Sequence, residues 1–334
     1  MPLYRYAAYL QDAQFFGQKN QLNLTSNNSP ALACPNIYLV EISDDKLRKE
    51  YPAMAGVYFY DGNWYDECPH VMGPMDHSFW MASTVFDGAR SFRGMAPDLD
   101  KHCARLARSA RALGYNPTLE TGEVFELCKQ AVRKLPKESE LYIRPMYFAR
   151  GGFIDPEPDS AEFILAVYDS PMPEATGFSA HFAKERRPAR DMAPTDAKAS
   201  CLYPNSGRAI AAARKAGFDN AILMDANDNV AEFATSNIWT VKDGVAFTPA
   251  ATGCFLAGIT RERVKILAEA AGIEVCETAM TKEDIMSADE IFNSGNFGKV
   301  MPLTRIEDRE LQPGPTAAKL REMYMEFSRE SQLF

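Results

Sequence analysis

Lys198 lies among small residues in Pro194-Thr195-Asp196-Ala197-Lys198-Ala199-Ser200-Cys201, and Tyr203 follows five positions later. Further along come Glu232, read as part of an Ala231-Glu232-Phe233 turn, and Gly258-Ile259-Thr260 at the expected opening of a helix. In order, these residues offer an amine nucleophile, a phenol, an acid and a cradle for an anion. A lysine amine forms an imine with an aldehyde, and a carboxylate keeps a pyridine nitrogen protonated. A phenol bonds a ring oxygen, and the bare amides of a helix start hold a phosphate. Pyridoxal phosphate requires that set. A lysine taken alone is most often a solvated surface group, so the argument rests on the ordered combination.

The elements that must position these residues are bounded first by length. A chain of 334 residues exceeds one ordinary core and predicts two domains. Its net charge of −9 argues against a nucleic acid or an anionic membrane as partner. Cys34, Cys68, Cys103, Cys128, Cys201, Cys254 and Cys276 are odd in number and form no CxxC pair. Neither a disulfide framework nor a metal site is indicated, and reduced thiols fit a cytoplasmic protein. No apolar run approaches the ~20 residues of a membrane span.

Residues 1–55 carry no sustained period and read as an extension of no assigned role. A smaller unit is expected over 56–170. It has strands at Val57 to Tyr60, at Ser83 to Phe86 paired through Asp87-Gly88 with Ala89 to Phe92, and at Leu141 to Phe148 and Phe163 to Tyr168. Leu99, Cys103, Leu106, Ala110 and Leu113 fall at helical spacing before Gly114, and Val124, Leu127, Cys128, Ala131 and Leu135 do so before Pro136. The Pro- and Gly-bearing stretch 171–177 is the expected linker, and 178–334 the larger unit. That unit is expected to hold strands at Phe178 to Phe182, Ala221 to Met224, Asn237 to Val241, Val245 to Thr248 and Glu290 to Asn293. Its helices are expected from about Ser206 to Ala216, from Thr260 to Gly272, and around Leu320, Met323, Tyr324 and Phe327.

The stretches Asp196-Ala197-Lys198, Tyr203-Pro204-Asn205, Asn229-Val230-Ala231-Glu232, Ser236-Asn237-Ile238-Trp239 and Leu256-Ala257-Gly258-Ile259-Thr260-Arg261 resemble class IV aminotransferases, the fold-type IV pyridoxal phosphate enzymes. Val85-Phe86-Asp87-Gly88-Ala89-Arg90, His102 to Leu106 and Tyr142-Ile143-Arg144-Pro145 extend the likeness, which is greatest to branched-chain aminotransferases and runs from Gly56 to about Phe327. One departure is Asp228, where the family commonly has glycine. The resemblance implies an α+β fold of two domains with the cofactor between them, in a homodimer whose partner contributes to the pocket.

It also implies roles. Lys198 would hold the cofactor as an imine and carry the proton at the substrate α-carbon, Glu232 would pair with the pyridine nitrogen, and Tyr203 would bond the ring oxygen. Gly258, Ile259 and Thr260 would hold the phosphate, with Arg105 supplying charge and Asn296 standing where the family usually has threonine. Phe86 and Gly88 would wall the side-chain pocket, Tyr142 and Arg144 would bind carboxylates, and the turn around Asn296 and Phe297 would meet a substrate carboxylate. Met81 replaces a tyrosine common in the branched-chain group, and a thioether cannot donate the phenol's hydrogen bond; Arg90 and Arg187 are candidates to compensate. The implied reaction moves an amino group between a branched-chain or other apolar L-amino acid and a 2-oxo acid. The rivals are an (R)-amine or D-amino-acid transaminase, a carbon–carbon lyase like aminodeoxychorismate lyase, and a silent metabolite binder, against which the intact Lys198, Glu232 and Tyr203 count.

Overall fold

A computed structural model describes residues 56–331 and residue 333; the extension read at 1–55 lies outside them. Its first sheet is wholly antiparallel. It is built from β1 (Gly56–Tyr60), β2 (Asn63–Tyr65), β3 (Val85–Phe86), β4 (Ala89–Phe92), β5 (Glu140–Ala149) and β6 (Ala161–Asp169), in the order β2-β1-β6-β5-β3 with β4 also on β5. The expected pairing of β3 with β4 is not found. Both lie along β5, with Phe86 opposite Met146 and Ala89 opposite Ile143, so they are one strand interrupted at Asp87-Gly88. The cause sits across the ladder. Pro145 has no N–H to give, and only Asp87 N to Pro145 O, 3.0 Å, bridges the gap.

Helix α1 (His77–Met81) precedes β3, while α2 (Leu99–Ala112) and α3 (Thr121–Arg133) cover the sheet. In α2 the apolar period buries Leu99, Cys103, Leu106 and Ala110, and Gly114 ends the helix at φ 83°. In α3 a reciprocal capping box joins Glu120 and Glu123, with Val124, Cys128 and Ala131 inward. These faces pack with Ile143, Tyr147, Leu165 and Val167 of the sheet in one core that also takes in Ala197 and Ala199, the flanks of Lys198.

The second sheet contains β7 (Phe178–Arg186), β8 (Asn220–Met224), β9 (Val230–Phe233), β10 (Asn237–Lys242), β11 (Val245–Pro249), β12 (Val275–Thr278), β13 (Glu290–Gly295), β14 (Lys299–Ile306) and β15 (Arg309–Glu310). Its order is β12-β11-β10-β13-β14-β7-β8-β9, with β15 on β14. β9 is therefore five places from β10, yet only residues 234–236 join them. Five spacings of a flat sheet span about 24 Å, and such a link reaches at most about 14 Å. The sheet must curl, and Glu232 on β9 is thereby brought round toward Asn237 on β10.

Around it stand α4 (Tyr203–Lys215), α5 (Ile259–Ala270), α6 (Lys282–Ser287) and α7 (Pro315–Arg329). Val264, Ala268, Ala317 and Leu320 of α5 and α7 pack on Trp239, Val241, Phe292 and Val300. Two boundaries differ from the sequence reading. α4 begins at Tyr203 rather than Ser206, with Pro204 in its first turn, where a missing N–H costs nothing. Glu232 lies within a buried strand rather than a turn, and the departure at Asp228 is accommodated at φ 65°, a left-handed position that aspartate tolerates.

Candidate active site

Lys198 is fixed from the first-sheet side. Its carbonyl accepts from Phe86 N at 3.0 Å, its amide donates to Ser109 Oγ at 2.9 Å, and Ala199 bridges to Val85. The side chain then extends with Nζ 2.8 Å from Tyr203 Oη, and 4.9 Å from the centre of the Phe86 ring. Phe86 and Tyr203 pack at 5.3 Å between ring centres. A nucleophilic amine, a phenol and an apolar wall thus meet at one point.

Glu232 faces the same cavity from β9 and is 9 % exposed. Burial pushes its carboxyl up to about 7, against the pull of Arg187 and Lys198. Arg187, itself buried, sets Nε 3.2 Å from Glu232 Oε1 and 3.2 Å from the Cys254 carbonyl. The sequence reading offered Arg187 to a substrate carboxylate; it stands in the cavity wall beside Glu232, its guanidinium already paired with that carboxylate. The only trace of this in the chain is an arginine within an Arg- and Pro-rich loop.

A third group of residues forms the cavity's other end. Gly258 caps α5, Thr260 is buried in the first turn, and a Cβ at Gly258 would collide with the Asn237 carboxamide. Ser236 Oγ and Asn296 Nδ2 are buried donors without a partner among the described residues, and both residues line the cavity. Arg105 also lines it, but its Nε and Nη2 are committed to Asp87 at 2.7 and 2.9 Å. Asp87 is wholly buried and accepts as well from His102 Nδ1 and Gly88 N, each at 2.7 Å. Burial alone would raise this carboxyl, yet Arg105 and His102 outweigh it and hold it below the ordinary range.

The other residues named from sequence divide into two groups. Gly88, Tyr142 and Phe297 line the cavity, Phe297 at its open mouth with 61 % exposure. Arg144 lies behind Tyr142, its guanidinium 5.3 Å from that ring and 5.2 Å from Tyr168 while it donates to the Tyr168 hydroxyl. Arg90 is fully buried, donates to the Ser170 carbonyl at 2.6 Å, and stacks under Phe297 at 5.1 Å. Neither arginine pairs with a carboxylate among the described residues. Met81, at the end of α1, is not part of the cavity wall within this chain. Ser236, His102 and Asp87 lie in stretches that carry the resemblance, but no role was given to them from sequence.

The donor set fits a phosphate-bearing pyridine aldehyde: an amine, a carboxylate for a ring nitrogen, and orphaned donors beside a helix start. The pattern that defines the amino-transferase class IV family matches residues 84–306. The chain belongs to that family. It is 31% identical over 288 residues to the branched-chain-amino-acid aminotransferase of Pseudomonas aeruginosa, covering 81% of this chain and 92% of that protein. Among solved structures, a Brucella abortus aminotransferase bound to PLP superposes with a TM-score of 0.81 at 41% identity, over 82% of this chain and 99% of that one. A branched-chain aminotransferase of Thermoproteus uzoniensis with norvaline gives 0.77 at 30%, over 84% and 96%. The protein is therefore an aminotransferase of the α+β fold-type IV, with pyridoxal phosphate as its cofactor. Among the described residues no helix is long and apolar enough to cross a membrane.

Proposed function

We propose that the enzyme transfers the amino group of a branched-chain or other apolar L-amino acid to a 2-oxo acid, with 2-oxoglutarate as acceptor. The observation that carries this reading is the apolar wall at the reacting amine, where Phe86 and Tyr203 pack beside Lys198 Nζ. The norvaline held by the Thermoproteus relative is a side chain of the same kind. Tyr142, in the cavity wall with the Arg144 guanidinium behind its ring, is suited to a carboxylate of the acceptor, whereas Arg90 is buried away from the cavity.

When bound, the cofactor supplies an aldehyde that captures amines and a ring that accepts electrons. Lys198 would hold it covalently and, as a free amine, would carry the proton at the substrate α-carbon. Glu232, held by Arg187, keeps the ring nitrogen protonated, and that cation in turn favours the ionised carboxylate. Tyr203 orients the ring through its oxygen. The amides of Gly258, Ile259 and Thr260, with Arg105, Asn296 and Ser236, hold the phosphate.

In this reading residues 56–170 and 178–334 are two domains joined by 171–177, in a cytoplasmic homodimer. Met75, Phe79, Trp80, Phe153 and Ile154 form an exposed apolar area around α1, with Trp80 and Phe153 5.6 Å apart, suited to a second copy. Steady-state rates with L-leucine and 2-oxoglutarate test the reaction. Parallel double-reciprocal lines support exchange through the cofactor, whereas pyruvate release without any acceptor points to the lyase.

A further inference from the structure

Lys299 is wholly buried at the start of β14, and no carboxylate pairs with it among the described residues. Its backbone is left-handed, φ 61°, which costs a non-glycine residue roughly 1–2 kcal/mol. The amine donates to Asn296 Oδ1 at 2.7 Å and lies 5.2 Å from the centre of the Tyr324 ring. Because the lysine takes the oxygen edge of the Asn296 carboxamide, the Nδ2 edge is left as the partnerless donor in the cavity wall.

We propose that Lys299 is a positioning residue for the phosphate end of the cavity: it fixes the Asn296 amide with its N–H edge toward the anion, and its own charge reaches the anion through that amide. The inference rests on the placement of the phosphate given above. The surroundings of Lys299 make its charge depend on what binds. Arg90 of β4 and His102 of α2 face it as a like charge and a neutral ring, Tyr324 of α7 offers a ring face, and among the described residues Asp98 at the start of α2 is the acid that acts on it. That acid is itself held by Arg263 Nε at 3.2 Å. Burial, with Arg90, lowers the amine to about 7 against the pull of Asp98. A dianion at Asn296 favours the ammonium form, so cofactor binding recruits a proton.

The test reads the cofactor and not turnover. The holoenzyme, Lys299→Met, Asn296→Ala, the double variant and a Thr260→Ala control are compared by PLP dissociation constant and by the 31P resonance of bound PLP between pH 6 and 9. Lys299→Met is expected to weaken PLP about tenfold or more and to remove a titration seen in the wild-type resonance. The double variant is expected to be no weaker than Asn296→Ala alone. Losses that simply add, or a wild-type resonance whose pH profile is unchanged in Asn296→Ala, overturn the inference; the latter comparison stands even where Lys299→Met fails to fold. If Thr260→Ala alters affinity and resonance while Lys299→Met does not, only this inference falls. If none of the variants alters either, the phosphate placement falls with it.

Discussion

Replacing Glu232 by glutamine in the chain stripped of cofactor isolates the cost of holding a carboxylate inside this cavity. Glutamine keeps the shape and an oxygen for Arg187, but does not titrate. The carboxyl moves from an ordinary 4.5 to about 7 in the fold, a rise of about 2.5 units, or roughly 3–4 kcal/mol at about 1.4 kcal/mol per unit. Between those values the folded chain binds the proton that the unfolded chain has already lost. The stability due to Glu232 is therefore full below pH 4.5 and is lost as the pH climbs through about 7. Relative to wild type, Glu232→Gln should gain roughly 3–4 kcal/mol between pH 4.5 and 8 in urea unfolding followed by fluorescence. Adding PLP should reverse the order, because the pyridinium gives the carboxylate a partner. Parallel pH profiles for the two stripped proteins would refute the argument that burial dominates at Glu232.

Other outcomes follow from the same geometry. Lys198→Ala should abolish both turnover and the reducible imine absorbance; a turning-over variant would remove Lys198 from the mechanism. Asp87→Asn leaves Arg105 and His102 without their shared anion and should cost about 3–5 kcal/mol in thermal unfolding. That loss should vanish in strong acid, since a depressed carboxyl contributes its stability at higher pH and yields it as the pH falls. In Gly88→Ala the new methyl meets the Tyr142 hydroxyl, so KM for the amino donor should rise while PLP affinity holds; an unchanged KM would take Gly88 out of the substrate wall.

What could be read from sequence was what local chemistry decides. The cores of α2, α3, α5 and α7 follow from apolar residues at helical spacing, and three of the stops from Gly114, Pro136 and Gly272 after α2, α3 and α5. β14 was not foreseen, because it opens on a buried lysine and contains Pro302, both poor signals for a central strand. β9 was read as a turn because the strand is only four residues long and follows the turn residues Asn227-Asp228-Asn229. The apparent hairpin at Asp87-Gly88 was misjudged because its cause, Pro145, lies on another strand. At the site, Lys198, Tyr203 and Glu232 were legible by type and order. Arg187 beside Glu232, Asp87 beneath Arg105, and Lys299 behind Asn296 were not, because each exists only once distant segments meet.

The most direct measurement is the half-reaction of the yellow holoenzyme with L-leucine, D-alanine and (R)-1-phenylethylamine added separately, following loss of the imine band as the pyridoxamine form appears. Conversion by L-leucine alone is the predicted result. Conversion by D-alanine or the amine alone would contradict it and assign the cavity to the opposite stereochemical class, and no conversion by any donor would contradict transamination of apolar amino acids altogether.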